Sequence, residues 1–121
     1  MVSVVREFVA ALAGADSVAC FNADFHQRMM ERAAIVSGVH LEWPRRPTCL
    51  MREATPIVRK PRMAPGGGYS YPKLGEAYTY FTHREFITDY GADPVARGRY
   101  IVGCLQQIHQ GILEARSDSA A

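Results

Sequence analysis

Apolar side chains recur at helical spacing at the start of the chain. Val4, Val5, Phe8, Val9 and Leu12 share one face, Ser3 can cap the stretch and Gly14 ends it. The next run, Ser17-Val18-Ala19-Cys20-Phe21, is almost wholly apolar. It predicts a strand buried on both faces, as in a parallel sheet. After Asn22-Ala23-Asp24 the helical period returns as far as about Val36, with Phe25, Met29, Ala33 and Val36 as the apolar face and Gly38 as the stop. Pro44 and Pro47 bracket a turn. Thr48-Cys49-Leu50-Met51 is a second short apolar run, a weak strand or the start of a helix, and residues 52–58 predict a short helix interrupted by Pro56.

Residues 59–71 are rich in Pro and Gly, basic, and centred on Gly66-Gly67-Gly68, which predicts a mobile loop. The triple glycine lacks the Lys-Ser/Thr and the preceding strand of a phosphate-binding P-loop. Pro72 is expected in the first turn of a third helix, with Leu74, Ala77, Tyr78 and Phe81 facing inward. Residues 83–91 form a connector. Asp93-Pro94 marks a helix start, an N-cap followed by Pro at the first helical position. That last helix is expected to reach about Leu113, with Ile101, Leu105, Ile108 and Ile112 on one face. Residues 1–116 read as a single domain and residues 117–121 as a disordered tail. The pattern is α/β and helix-rich, with too few strands to make a sheet alone.

Composition adds one asymmetry. The 121 residues carry a net charge of only +2, with 48% hydrophobic residues. Yet Arg45, Arg46, Arg52, Arg59, Lys60, Arg62 and Lys73 stand against the single acid Glu53 between Pro44 and Lys73. Such a stripe attracts phosphates, or is simply a solvated loop. Tyr69, Tyr71, Tyr78 and Tyr80 interleave with its end, and aromatics beside cations suit single-stranded nucleic acid. Tyr78 reads as core. Cys20, Cys49 and Cys104 have no CxxC spacing, which points to reduced thiols in a cytoplasm, with Cys20 and Cys104 as core fillers. The apolar run at the N-terminus contains Arg6 and Glu7, so neither a signal peptide nor a membrane span is expected. His26, His40, His83 and His109 form no metal pattern with the cysteines.

Three segments together resemble DnaQ-like 3′–5′ exonucleases of the DEDDh type. Phe21-Asn22-Ala23-Asp24-Phe25-His26 is similar to the family's His-Asn-Ala-x-Phe-Asp, which ends a buried strand. Thr48-Cys49-Leu50-Met51 is similar to its Thr-Cys-Thr-Met strand. Pro72-Lys73-Leu74-Gly75-Glu76-Ala77-Tyr78 through Phe81 resembles its Pro-Lys-Leu-x-Glu-x-Tyr-x-x-Phe helix. The final helix is similar to a His-Asp-Ala-x-x-Asp-x-x-Ala helix. The resemblance implies a partial ribonuclease H-like, DnaQ-like exonuclease fold lacking its first three strands, truncated at the N-terminus and degenerate in its catalytic motifs.

The departures bear on function. The family's Asp-x-Glu strand is absent from the chain. The motif His falls on Phe21 and the metal-ligating Asp on His26. The general-base His falls on Ala92 and the last metal-ligating Asp on Arg97. Two-metal phosphodiester cleavage holds two cations about 4 Å apart, and hard cations such as Mg²⁺ want carboxylate oxygens. Arg97 opposes a cation, and Ala92 cannot take a proton from water. His83 with Asp89 is a poor substitute pair, because its spacing is one residue too long.

The expectation is therefore a catalytically inactive pseudo-exonuclease with no cofactor and no metal, acting as a binding protein. A phage or mobile-element inhibitor of a host protein or nucleic-acid complex would fit such a shortened gene. The alternative is one subunit of a split exonuclease with its Asp-x-Glu motif on another chain. Arg45, Arg46, Arg52, Arg59, Lys60, Arg62, Lys73 and Tyr71 are the candidate contacts to nucleic acid or a partner. The resemblance also leaves the apolar strand at Val18 and Ala19 without a neighbour. An uncovered edge invites pairing, so a homodimer or hetero-oligomer is expected there, with Val5, Phe8 and Leu12 adding apolar area. No membrane association is expected.

Overall fold

The computed structural model describes residues 2–63, 65–89 and 91–120, the side chains of 119 and 120 excepted. It is a small helix-rich α/β protein: α1 (Val2–Ala13), β1 (Ala19–Cys20), α2 (Ala23–Ser37), β2 (Thr48–Cys49), α3 (Leu50–Val58), α4 (Leu74–Thr82) and α5 (Pro94–Ala120). The chain forms two compact units, residues 1–49 and 50–121. No helix among the described residues is long and apolar enough to cross a membrane.

The first unit packs α1 and α2 with a two-stranded parallel sheet, β1 beside β2. Its register pairs Ala19 with Thr48 and Cys20 with Cys49, and Thr48 N–H donates to Val18 O at 2.8 Å. The parallel pairing agrees with the expectation, but the strand is shorter and less buried. Only two of the five residues from Ser17 to Phe21 are strand, Ser17 and Ala19 are exposed, and Val18, Cys20 and Phe21 are half-buried. An apolar run was not enough to make a strand buried on both faces, because among the described residues only β2 pairs with it.

The apolar face of α2 is the reverse of the one expected. Phe25 and Met29 are about half exposed, and Val36 is 79% exposed. The inward row is instead Ala23, Gln27, Met30, Ala34 and Ser37, of which Ala23 and Ala34 are fully buried. Those positions step by four and three residues and so share one face. Small alanines let the helix approach its neighbours closely. Gln27 and its neighbour Glu31 are accommodated because they find partners, whereas the buried Ser37 hydroxyl has none. Glu31 accepts hydrogen bonds from Gln27 Nε2 at 3.2 Å and from Trp43 Nε1 at 3.1 Å. Trp43 also packs edge-on against Phe8, ring centroids 5.6 Å apart. Gly38 ends the helix as anticipated, in the left-handed conformation (φ 67°), with its neighbour Val39 donating to Ala34 O.

The second unit is a cluster of α3, α4 and α5. Thr48-Cys49-Leu50-Met51 turns out to be both things it resembled, since β2 ends at Cys49 and α3 begins at Leu50. Pro56 does not interrupt α3. It sits near the helix end, where its missing N–H removes a single bond, and Thr55 Oγ1 donates back to Met51 O at 2.8 Å. Leu50 and Ala54, four residues apart, are buried.

Pro72 lies just before α4 rather than in its first turn. Lys73 is the N-cap, and Glu76 Oε1 reaches back to accept its N–H at 2.8 Å. Asp93 caps α5 as expected, accepting from Val95 N–H at 3.0 Å. The helix then continues past Leu113 to Ala120, so residues 117–120 are helical rather than a tail; Ala121 lies outside the described residues. Cys104, Ile108 and Ile112 are its buried row, with Ile101 and Leu105 half-buried beside it. Tyr78, Phe86 and Tyr100 form an aromatic cluster with centroids 5.6–6.1 Å apart, and the Tyr100 hydroxyl accepts Ile87 N–H at 3.0 Å.

Candidate functional site

The basic segment of the second unit is a structured hairpin-like excursion between α3 and α4 rather than a plain loop. Arg59 leaves α3 with φ 56°, its N–H still bonded to Thr55 O and its Nε donating to Pro56 O at 3.2 Å. Pro61 and Tyr69 then form an antiparallel bridge, closed by Ser70 N–H to Lys60 O at 2.9 Å. Gly66, Gly67 and Gly68 all have positive φ, which side chains rarely tolerate, and they turn the chain back.

The stem is anchored at α4. Lys60 Nζ lies 2.9 Å from Glu76 Oε1, the same oxygen that takes the Lys73 N–H. The Lys73 backbone donor, and next the Lys60 ammonium, hold the Glu76 carboxyl below the usual carboxylate range. A carboxylate with a lowered pKa contributes fully above its unfolded value, and the contribution is lost as pH falls through the folded one. Protection of the Ser70 and Lys73 amides, measured by NMR as exchange relative to the intrinsic rate at each pH, is therefore expected to fall in acid in the native protein. Glu76→Ala is expected to show the lower protection already at neutral pH, with no acid step. An acid step of equal size in both proteins would disprove the anchor.

Arg59, Arg62, Lys73, Tyr69 and Tyr71 are exposed. Arg59 also lines an open cleft of about 480 Å³ with Pro56, Ile57, Tyr80, Ala115 and Arg116. Arg116 pairs with Glu53 at 2.9 Å. Arg116, at the far end of α5, was not foreseen as part of a basic surface, and no sequence proximity signals it. Lys60 is less available than its charge suggested, because Glu76 neutralises it. Arg52 is exposed on α3, while Arg45 and Arg46 are exposed in the first unit. The seven basic residues are thus split two and five between the units rather than forming one run in either.

The positions on which the resemblance places the lost catalytic groups are split in the same way. Phe21 and His26 belong to the first unit. Phe21 follows β1, Asn22 adopts a left-handed conformation (φ 68°, ψ 61°), and His26 sits in the first turn of α2 with its ring 5.4 Å from that of Phe25. Ala92 and Arg97 belong to the second unit, exposed at the start of α5, where Arg97 N–H donates to Asp93 O. His83 caps the end of α4 (φ 58°), and Asp89 accepts Gly91 N–H at 3.1 Å. Among the described residues no three His, Cys, Asp or Glu side chains group as metal ligands.

Of the residues expected at an interface, Val5 and Leu12 are buried in the core and are unavailable to a partner. They face inward because α1 packs on α2. Phe8 is half-buried and engaged by Trp43, which leaves Val18 and Ala19. Cys20 is half-buried rather than a core filler, whereas Cys104 is fully buried.

No family model, curated protein or solved structure matches the chain.

Proposed function

We propose that this protein is a non-catalytic, exonuclease-like binding protein that takes a single-stranded nucleic acid along residues 59–73 of the second unit. The observation that carries the reading is the anchored hairpin. It keeps Arg59, Arg62 and Lys73 exposed beside exposed Tyr69 and Tyr71, and Arg59 continues the surface into the cleft with Tyr80 and Arg116. Cations follow a phosphate backbone, and tyrosine rings stack on bases of any identity. The substitutions at His26, Ala92 and Arg97 speak against both a complete nuclease and a split one, since a second chain would have to replace three groups.

The test is fluorescence anisotropy with a dye-labelled 20-nucleotide oligothymidylate between 50 and 200 mM salt. Affinity is expected to fall steeply with salt, by counterion release. Arg62→Ala/Lys73→Ala is expected to weaken binding about tenfold and to flatten the salt slope, whereas Tyr71→Ala is expected to cost about 1–3 kcal/mol with the slope unchanged. The oligonucleotide is expected to stay intact with Mg²⁺ or Mn²⁺. No binding at 50 mM salt, or equal affinity in the double variant, would sink the proposal.

A further inference from the structure

Two free cysteines stand side by side where the strands meet. Cys20 of β1 and Cys49 of β2 are register partners in the parallel ladder. Register partners carry their side chains on the same face of a sheet. Paired strands run about 4.8 Å apart, and a disulfide spans Cα atoms about 4.4–6.8 Å apart. The backbone therefore holds both sulfurs on one side at a separation a cross-link can bridge. Both residues are only half-buried, whereas Cys104 is 1% exposed.

The surroundings distinguish the two thiols. Ala23 N–H, at the first residue of α2, donates to Cys49 Sγ at 3.4 Å. It is one of the helix-start donors that α2 itself cannot satisfy. Asn22 brings it there, because its left-handed conformation turns the chain from β1 into α2 within two residues. Cys20 differs, since burial, and then the neighbouring Cys49, push its thiol up. Cys20 is thus the less ready of the two to attack first.

We propose that Cys20 and Cys49 form a redox-active dithiol, closed to an intramolecular disulfide by exchange with a low-molecular-weight disulfide. The Cys49 thiolate attacks one sulfur of the reagent, forming a mixed disulfide and expelling one thiolate. Cys20 gives its proton to solvent and attacks Cys49 Sγ, forming the Cys20–Cys49 bond and expelling the second thiolate. The protein loses two protons and two electrons, and the reagent is reduced to two thiols. The cross-link joins β1 to β2 and encloses all of α2 in a covalent loop.

Reduced full-length protein is equilibrated with mixtures of oxidised and reduced glutathione, quenched in acid and alkylated in denaturant, then weighed intact and mapped by peptides. The expected product carries two alkyl groups fewer than the reduced protein, with peptides 20 and 49 joined. Cys104→Ser is expected to form the same bond. Cys20→Ser is expected to stop at a glutathione adduct on Cys49, and Cys49→Ser to react at Cys20 about tenfold more slowly. The proposal is overturned if the native-sequence protein accumulates glutathione adducts without closing, if the bond involves Cys104 or a second molecule, or if closure is as fast in urea as in the folded state.

Discussion

Ile108→Ala is expected to cost the second unit about 2–5 kcal/mol, the range for removing a large aliphatic side chain from a packed site. Ile108 is 0% exposed at the centre of the buried row of α5, one helical turn from Cys104 and one from Ile112. α5 packs on both α3 and α4, so the cavity would open where the unit's helices converge. The surrounding chain can collapse into it only by shifting a 27-residue helix, which favours the upper part of the range. The single tryptophan, Trp43, belongs to the first unit, so its fluorescence is the wrong probe. Hydrogen exchange of peptides from residues 50–58, 74–82 and 94–120 reads the loss directly. A change below about 1 kcal/mol would mean that the row is not packed as described.

Gly111→Ala and Gly103→Ala are expected to act in opposite directions although they lie in the same helix. A Cβ at Gly103 meets nothing within 4 Å, so alanine should gain about 0.5–1 kcal/mol from its better helix propensity. A Cβ at Gly111 would fall 2.6 Å from Phe81 Cγ and 2.9 Å from Phe81 Cβ. Those atoms lie near the backbone of α4, so a rotation of the ring cannot clear them and the helices must part. Overpacking of this kind costs about 1–3 kcal/mol, which outweighs the propensity gain. Exchange protection of residues 74–82 separates the two outcomes. Equal stabilisation by both alanines would show that α4 and α5 are not in close contact at this point.

The elements whose signals are local were legible in advance. Asp93-Pro94 starts α5 because a carboxylate cap and a fixed φ act within four residues, and Gly38 stops α2 because its left-handed φ strains any residue with a Cβ. The candidate site was legible in part. The basic, tyrosine-bearing composition of residues 59–73 is visible in the sequence. The Lys60–Glu76 anchor joins residues 16 apart, and the place of Arg116 beside Arg59 in one cleft comes from the packing of α5 on α3.

The sequence alone determined that the chain is rich in helix, where α2 stops and α5 starts, and which residue types are available for chemistry, because propensity and capping depend on near neighbours; Ser3, expected as a cap, lies inside α1. Tertiary structure decided which side of α2 faces inward, because apolar residues occur all round that helix and only its neighbours select the row Ala23, Gln27, Met30, Ala34 and Ser37. It also decided how much of the apolar run at 17–21 became strand, since a strand exists only where a partner supplies hydrogen bonds. And it set Cys20 against Cys49, because register relates residues distant in sequence and no spacing along a single strand encodes it.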